Sequence, residues 1–531
     1  MEKLKLLLLI IIGTGFLGAC SDNFLDSQPL TELTEAEYFK TQEEVESSLV
    51  GAYNSMFQST GTVGGAITRL TDQAHAGWGN SDGYDSRVRS HFDMSISPGE
   101  NNLYGGDWNR AYTTLFRVNL LLQKLADDDG DIEWNDPQRI PEIEGELRFI
   151  RAHAYFNLVR LFENVVLITE PTEENLPQSD PDEVYELIAD DLLFASENAP
   201  SEISSKAKVT TWAAKSLLAR VYLFYTGVYQ ESDLVGKVTG AQALQGLEDV
   251  IDQPEFGLVD DFKNLFVVPS VEFTGEGADD YTMDYAGKDN KEVVFAHRHN
   301  ITPGDWGSSI GNPAQIGLGM RDKAHGPHGF GWGASTVIPE FHESFENGDP
   351  RRDASIVDLE AEYDDVVNSD WRDYTGFATR KYVPLALPNG NDYVTEQGGE
   401  WGTNQHWDFV YMRFADVLLM AAELGSPNAQ NYFDQVRDRV GLPSKPVNTE
   451  NLMEERNHEF AFEGLRYFDL LRQGVDVLAE AVSYDGIVLD GGTEYNKVIE
   501  AQNIIEKRGF QQIPQNQINI SNGVLEQNEG W

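Results

Sequence analysis

Cysteine is almost missing: 531 residues hold one, Cys20. That excludes a disulfide framework. Basic residues are scarce as well, 39 Lys and Arg against 88 Asp and Glu, for a formal net charge of −49. Such a surface excludes nucleic acid as a partner, because phosphates demand a basic face. It also excludes adsorption to anionic lipid headgroups by surface charge. Long hydrophobic runs are lacking too. Past Ile12 no stretch approaches the ~20 apolar residues that cross a bilayer. What is present is 40% hydrophobic and 11% aromatic residues, enough for a large core. The 48 glycines and 10 tryptophans suit a loop-rich surface with exposed rings.

The one cysteine sits just after the only apolar run. Lys3 and Lys5 precede Leu6 to Ile12, and small residues follow. This is the layout of a secretion signal, assigned to residues 1–19. "LGAC" (Leu17 to Cys20) resembles the lipobox of bacterial lipoproteins, in which cleavage leaves the cysteine first and its thiol is acylated. The resemblance implies a thioether-linked diacylglycerol plus an N-acyl chain, which anchor together where one chain would not. Residues 20–40 read as lipid anchor and polar tether, and 41–531 as a single domain.

Within that domain helical periodicity dominates. "GELRFIRAHAYFNLVRLFE" sets Leu147, Ile150, Ala154, Leu158 and Leu161 on one face. "SDPDEVYELIADDLLFASENAP" opens with a Ser179/Asp180 cap and Pro181 in the first turn. "VTTWAAKSLLARVYLFYTG" is expected to end at Gly227. Helices return in "FVYMRFADVLLMAAELG", "NAQNYFDQVRDRVG", "NLMEERNHEFAFEG" and "LRYFDLLRQGVDVLAEAV". The paired units resemble degenerate tetratricopeptide pairs, which stack to share a core. Between about 254 and 408 Gly, Pro, Asp, Asn and aromatics take over. There "EVVFAHRHN" reads as a short strand and "GDWGSSIGNPAQIGLGMRDKAHGPHGFGWG" as a long functional loop. The expected fold is mainly α: a tetratricopeptide-like helical scaffold over 41–253 and 409–531, carrying a large irregular insert over 254–408.

Blocks in fixed order resemble the SusD/RagB family of outer-membrane lipoproteins of Bacteroidetes. They are "CSDNFLDSQPLTELTEAEYFKTQEEVESSLVGAYNSM", "DWNRAYTTLFRVNLLLQKL", "GELRFIRAHAYFNLVRLF", "DEVYELIADDL", "TTWAAKSLLARVYLF", "FENGDPRRDASI", "RKYVP", "VYMRFADVLLMAAE", "ERNHEFAFEGLRYFDLLRQG" and "QQIPQNQI". The resemblance implies a cell-surface glycan-binding protein without catalytic machinery. It would cap a TonB-dependent transporter of the SusC type in the outer membrane and swing like a lid. Other readings are a surface glycoside hydrolase with paired carboxylates and a lipoprotein of the same fold that carries peptide or another nutrient.

Sugar rings need flat apolar faces with donors and acceptors nearby. "DQAHAGWGNSDGYDSRVR" offers Trp78 and Tyr84 among Gln73, His75, Asn80 and Asp82. In the insert, Trp306, Trp332 and Phe330 are flanked by glycine. Trp108, Trp212 and Tyr155 lie in helical patterns and read as core. Arg321 and His325, with His297, Arg298, His299, Lys323 and His328, form a basic cluster in an acidic chain. With Arg87 and Arg89, it keeps an acidic glycan beside a neutral one as a reading. Ser81 in "GNSDG" lacks the strand and helix of a nucleophile elbow. "DDDGDIEWND" (Asp127 to Asp136) has calcium-like ligand density, but its glycine is misplaced for an EF-hand, and a solvated acidic loop is the stronger reading. His297 and His299 imply no third metal ligand, and "HESFE" at His342 lacks the second histidine of a zinc-protease helix. No cofactor is expected beyond that calcium. Arg456, Glu459, Arg466 and Asp469 are expected to form an ion network between C-terminal helices.

Since Cys20 is the only acylation target, Cys20→Ser is expected to give folded protein that leaves the membrane fraction. Fractionation in cells lacking the transporter checks this. Retention of the variant on those membranes refutes the anchor.

Overall fold

The computed structural model describes residues 39–60, 67–80, 104–301 and 311–531. Cys20, the tether up to 38, Ser81, Tyr84, Arg87, Arg89 and Trp306 lie outside the described residues.

Six helices form the first half: α1 (Gln42–Phe57), α2 (Gly105–Ala126), α3 (Arg139–Phe162), α4 (Pro181–Asn198), α5 (Thr211–Tyr229) and α6 (Gly240–Ile251). Each packs on the next. Local chemistry sets their starts. Thr41 and Glu44 close a capping box on α1, Asp180 accepts the Asp182 N–H at α4, and Thr210 and Thr239 cap α5 and α6. The cap of α4 is therefore Asp180, with Pro181 in the first turn as expected. The apolar face expected on α3 is buried, but so are Phe149, Tyr155, Phe156 and Phe162. The reason is tertiary: α1, α2 and α4 all pack against α3, so it is covered almost all round. Gly227 does not end α5, which runs on to Tyr229 and stops at Gln230 with φ +57°. Its lack of a side chain serves packing, since a Cβ there would stand 2.5 Å from the Arg472 carbonyl oxygen. Trp108 and Tyr155 are core, and Trp212 is half-buried with its indole N–H on Ser201 O at 2.9 Å.

The insert carries more structure than its composition suggests. Strand β1 (Val293–His297) falls where a short strand was expected, and the long loop contains α7 (Pro313–Leu318). β1 pairs antiparallel with β2 (Phe409–Arg413). "FVYMR" is thus strand rather than helix, and α8 begins only at Phe414 and runs to Glu423. Its five residues satisfy the β1 edge, so tertiary pairing overrides the helical pattern. Then come α9 (Ala429–Arg439), α10 (Thr449–Glu459), α11 (Arg466–Leu471) and α12 (Val475–Val482). The last two were read as one helix, and Gly474 at φ +129° separates them. A hairpin of β3 (Tyr484–Asp490) and β4 (Thr493–Ile499), turning at Gly491 and Gly492, was not anticipated.

Buried ion pairs join these parts. Arg413 contacts Glu292 (2.8 Å), Glu459 (2.5 Å) and Glu463 (2.8 Å). Arg439 also reaches Glu459, and Arg351 bonds Glu459, Glu455 and Asp349. Burial pushes the Glu459 carboxyl up, but Arg439, Arg413 and Arg351 together hold it well below the usual carboxylate range. A second cluster links Arg220 and Arg456 to Asp416, and Arg456 and Arg472 to Asp469. Arg466 pairs with Asp72 at 2.6 Å. Of the four residues expected to form one network, only Arg456 and Asp469 pair with each other, while Glu459 belongs to the first cluster and Arg466 to Asp72.

Histidines fill another part of the core. The Thr60 hydroxyl donates to Phe57 O (2.7 Å), leaving its lone pairs for His297 Nδ1 (2.8 Å) and His299 Nε2 (3.1 Å). His297 Nε2 then accepts from His153 Nε2 at 3.3 Å. Among the described residues no group of three or more His, Cys, Asp or Glu is arranged to hold a metal. In the acidic loop, one Asp128 oxygen accepts the N–H groups of Gly130, Asp131 and Ile132, and the other accepts Trp134 Nε1. That carboxylate organises its own turn.

Burial, then Arg160 and Arg220, lower the His153 pKa to about 3. A lowered base stabilises the fold above its unfolded pKa of ~6.5 and loses that contribution as pH falls toward 3. At pH 5 the loss from His153 is about 2 kcal/mol. The unfolding midpoint is expected to fall between pH 7 and pH 5, and the fall to be shallower in His153→Gln. Parallel slopes for both proteins would contradict this.

Candidate functional site

The sequence "GFGWG" (Gly329 to Gly333) alternates glycine with rings, and the structure explains the alternation. Phe330 forms a parallel bridge with Met320. The N–H groups of Gly331 and Gly333 donate to Met320 O and Gly319 O, and those of Trp332 and Ala334 to Ile316 O and Gly317 O. This segment is wrapped by the end of α7 and the residues after it. The glycines have no room for a side chain. A Cβ at Gly329 would meet Pro384 Cβ at 2.7 Å, at Gly331 Gly319 Cα at 2.6 Å, and at Gly333 Trp371 Nε1 at 2.6 Å. Phe330 and Trp332 carry the only side chains between these crowded glycines. Phe330 is 40% exposed, and Trp332 is half-buried.

Trp78 comes to Trp332 from a distant segment. Residues 73–80 are clamped between two others. Trp78 N–H donates to Gly333 O (2.9 Å), Ser335 N–H to Ala76 O (2.9 Å), and Arg372 N–H to Trp78 O (2.9 Å). Gly77 and Trp78 both have positive φ, +66° and +71°. At Gly77 this admits the Gly333 carbonyl, onto which a Cβ would collide. The indoles of Trp78 and Trp332 stack with centroids 5.2 Å apart and planes 28° apart. Arg69 lies 5.3 Å from the Trp78 ring. Beneath them Trp371 is buried and donates Nε1–H to Gly333 O at 2.8 Å.

A second ring pair includes Phe330, two positions before Trp332. Phe330 meets Trp401 at 5.3 Å with planes 53° apart. Trp401 is half-buried on a tight turn in which Glu400 Oε2 accepts from Gly402 N–H and Thr403 Oγ1, and Gln405 Nε2 donates to Trp401 O.

Polar groups line the rim. Asn80 is exposed, its backbone carbonyl bonded by Arg372 (3.1 Å) and its amide beside the hairpin turn at Gly491. The basic cluster turns out to be paired with acid. Arg321 binds Asp370 at 2.6 Å, Lys323 pairs with Asp365, and Arg298 binds Asp289 and Asp408, each at 2.7 Å. His325 is corrected as a surface contact: its ring is buried against Tyr363 and held by Asp322 at 3.0 Å. His328 is buried too, with Nδ1 at 2.5 Å from the Tyr363 hydroxyl.

Of the expected residues, the structure brings Trp78, Asn80, Trp332 and Arg321 to one locality. Trp401, Trp371 and Arg69 were missed. Trp401 lies in "GGEWG" (Gly398 to Gly402), and that glycine-flanked ring is the available signal.

Residues 291–531 match the model described as the SusD family, and 23–223 the model described as starch-binding associating with outer membrane. SusD-like protein P2 of Formosa agariphila is 26% identical over 503 residues, covering 89% of this chain and 91% of its own. A laminarin binding SusD-like protein superimposes with a TM-score of 0.72 at 29% identity, over 93% of this chain and all of that one. Surface glycan-binding protein A from Bacteroides thetaiotaomicron, in complex with laminarihexaose, shares the fold with a TM-score of 0.70 at 21% identity, over 92% of this chain and all of that one.

The crowding at Gly331 has a measurable consequence. Gly331→Ala is expected to destabilise the protein by about 1–3 kcal/mol and to weaken the near-ultraviolet dichroism of the stacked indoles. Unchanged stability and spectrum would show that the segment has room for a side chain.

Proposed function

Because the chain belongs to the SusD/RagB family, we propose that it is a non-catalytic glycan-binding lipoprotein of the outer-membrane surface. It captures an oligo- or polysaccharide on Trp78 and Trp332 and passes it to a SusC-like TonB-dependent transporter. Cys20 carries the lipid anchor once residues 1–19 are removed. The stacked indole pair carries the reading. Two rings locked by backbone hydrogen bonds and by each other offer a flat apolar face that does not have to be ordered on binding. Asn80 and the rim carboxylates supply partners for hydroxyls. Relatives named as laminarin-binding and glycan-binding support the same ligand class. Their names also support binding over hydrolysis.

The glycan is neutral in this reading. Arg321, Lys323 and Arg298 each already hold a carboxylate, and His325 is buried. A uronate would have to displace Asp370, Asp365 or Asp289, whose own charges repel it.

Losing one aromatic platform costs on the order of 1–3 kcal/mol by analogy with base stacking. Trp78→Ala and Trp332→Ala are each expected to weaken laminarin binding about ten-fold or more while the unfolding midpoint is kept. Affinity gels and calorimetry measure the first, and thermal melts the second. Arg321→Ala is expected to leave the salt dependence of binding flat. Variants that unfold early yet bind normally would make the rings core. Release of reducing ends would make the protein a hydrolase.

A further inference from the structure

The Trp78–Trp332 stack leaves Phe330 and Trp401 without a role, and the scaffold does not explain them. Phe330 is one of ten large hydrophobic residues left exposed among the described residues. The glycines on either side of it, Gly329 and Gly331, have no room for a side chain. Phe330 and Trp332 stand two positions apart in one segment, so their Cα atoms are at most about 7 Å apart. Trp401 is brought to Phe330 by a turn whose carbonyls and carboxylate are committed to shaping it. That turn is latched from behind. Asn312 N–H donates to Gln405 O (2.5 Å), and Trp407 N–H to the Gln315 side chain (3.0 Å). Both anchors come from the start of α7, and Ile316 of the same helix accepts the Trp332 N–H. One element therefore fixes both ring pairs.

We infer that Phe330 and Trp401 form a second carbohydrate platform, continuous with the first, so that the protein reads the length of a neutral glycan. The inference rests on the glycan reading of the Trp78–Trp332 pair. A short oligosaccharide occupies the indole stack alone. A longer one also lays later pyranose faces on Phe330 and Trp401. No charged side chain is needed for this, which suits a ligand whose recognition rests on ring faces and hydroxyls.

Calorimetry with laminari-oligosaccharides of two to six units tests it on the full mature chain. The wild type is expected to gain at least ten-fold in affinity from the shortest binding oligosaccharide to the hexamer. Trp401→Ala and Phe330→Ala should abolish most of that gain, leave the shortest ligand unchanged and keep the unfolding midpoint. Trp401→Phe should restore part of it. Trp332→Ala should weaken every length. If Trp401→Ala weakens all lengths equally, or none, the second platform is refuted while the first stands. If the wild type binds no neutral glycan, or Trp332→Ala changes nothing, the glycan reading itself fails.

Discussion

A carboxylate buried among three guanidinium groups governs this architecture. Glu459 on α10 holds Arg351 from the insert, Arg413 at the end of β2 and Arg439 at the end of α9. Arg413 in turn holds Glu292 beside β1 and Glu463, and Glu463 also holds the buried Lys381. Segments as far apart in sequence as Glu292 and Glu463 meet at these charges. Removing ions from water is costly, and the cost is offset only when each finds its partners. A partly assembled insert would strand a buried charge, which costs on the order of 3–5 kcal/mol. The network therefore favours one seating of the insert over others.

It also accounts for the surface. Cations are few in this chain, and many arginines lie inside: Arg220, Arg351, Arg413, Arg437, Arg456 and Arg472 are all buried. Neutralising the core with arginine leaves the carboxylates in excess outside. Nor does the insert offer a cluster of uncommitted cations near the aromatic face, since its basic side chains are paired locally.

The site inherits its order from this seating. Trp78 reaches Trp332 because residues 73–80 lie between 333–338 and 370–372 as an irregular ladder. None of the three is a long strand, and each contributes isolated bridges that mean little alone. Glycine makes the closeness available: at Gly77, Gly331 and Gly333 backbone or indole occupies the space a Cβ would need. Two hundred and fifty-four positions separate the two indoles in sequence, from 78 to 332, yet their planes are fixed to one another.

Sequence alone determined the features written in local chemistry. The Asp180 cap with Pro181 and the apolar stripe of α3 are short-range patterns that hold in the structure. The scaffold was legible for that reason, and so were Trp78 and Trp332 as glycine-flanked rings. Tertiary structure decided what depends on a partner far along the chain. "FVYMR" became strand because β1 lay open beside it, and Gly227 stayed within α5 because Arg472 packs there. His325 turned from a surface contact into a buried ring because Asp322 and Tyr363 enclose it. Which rings stack, which cations are already paired, and that Trp401 stands beside Phe330 are facts of distance between remote residues. Periodicity carries only the nearest few positions, so only the assembled fold contains them.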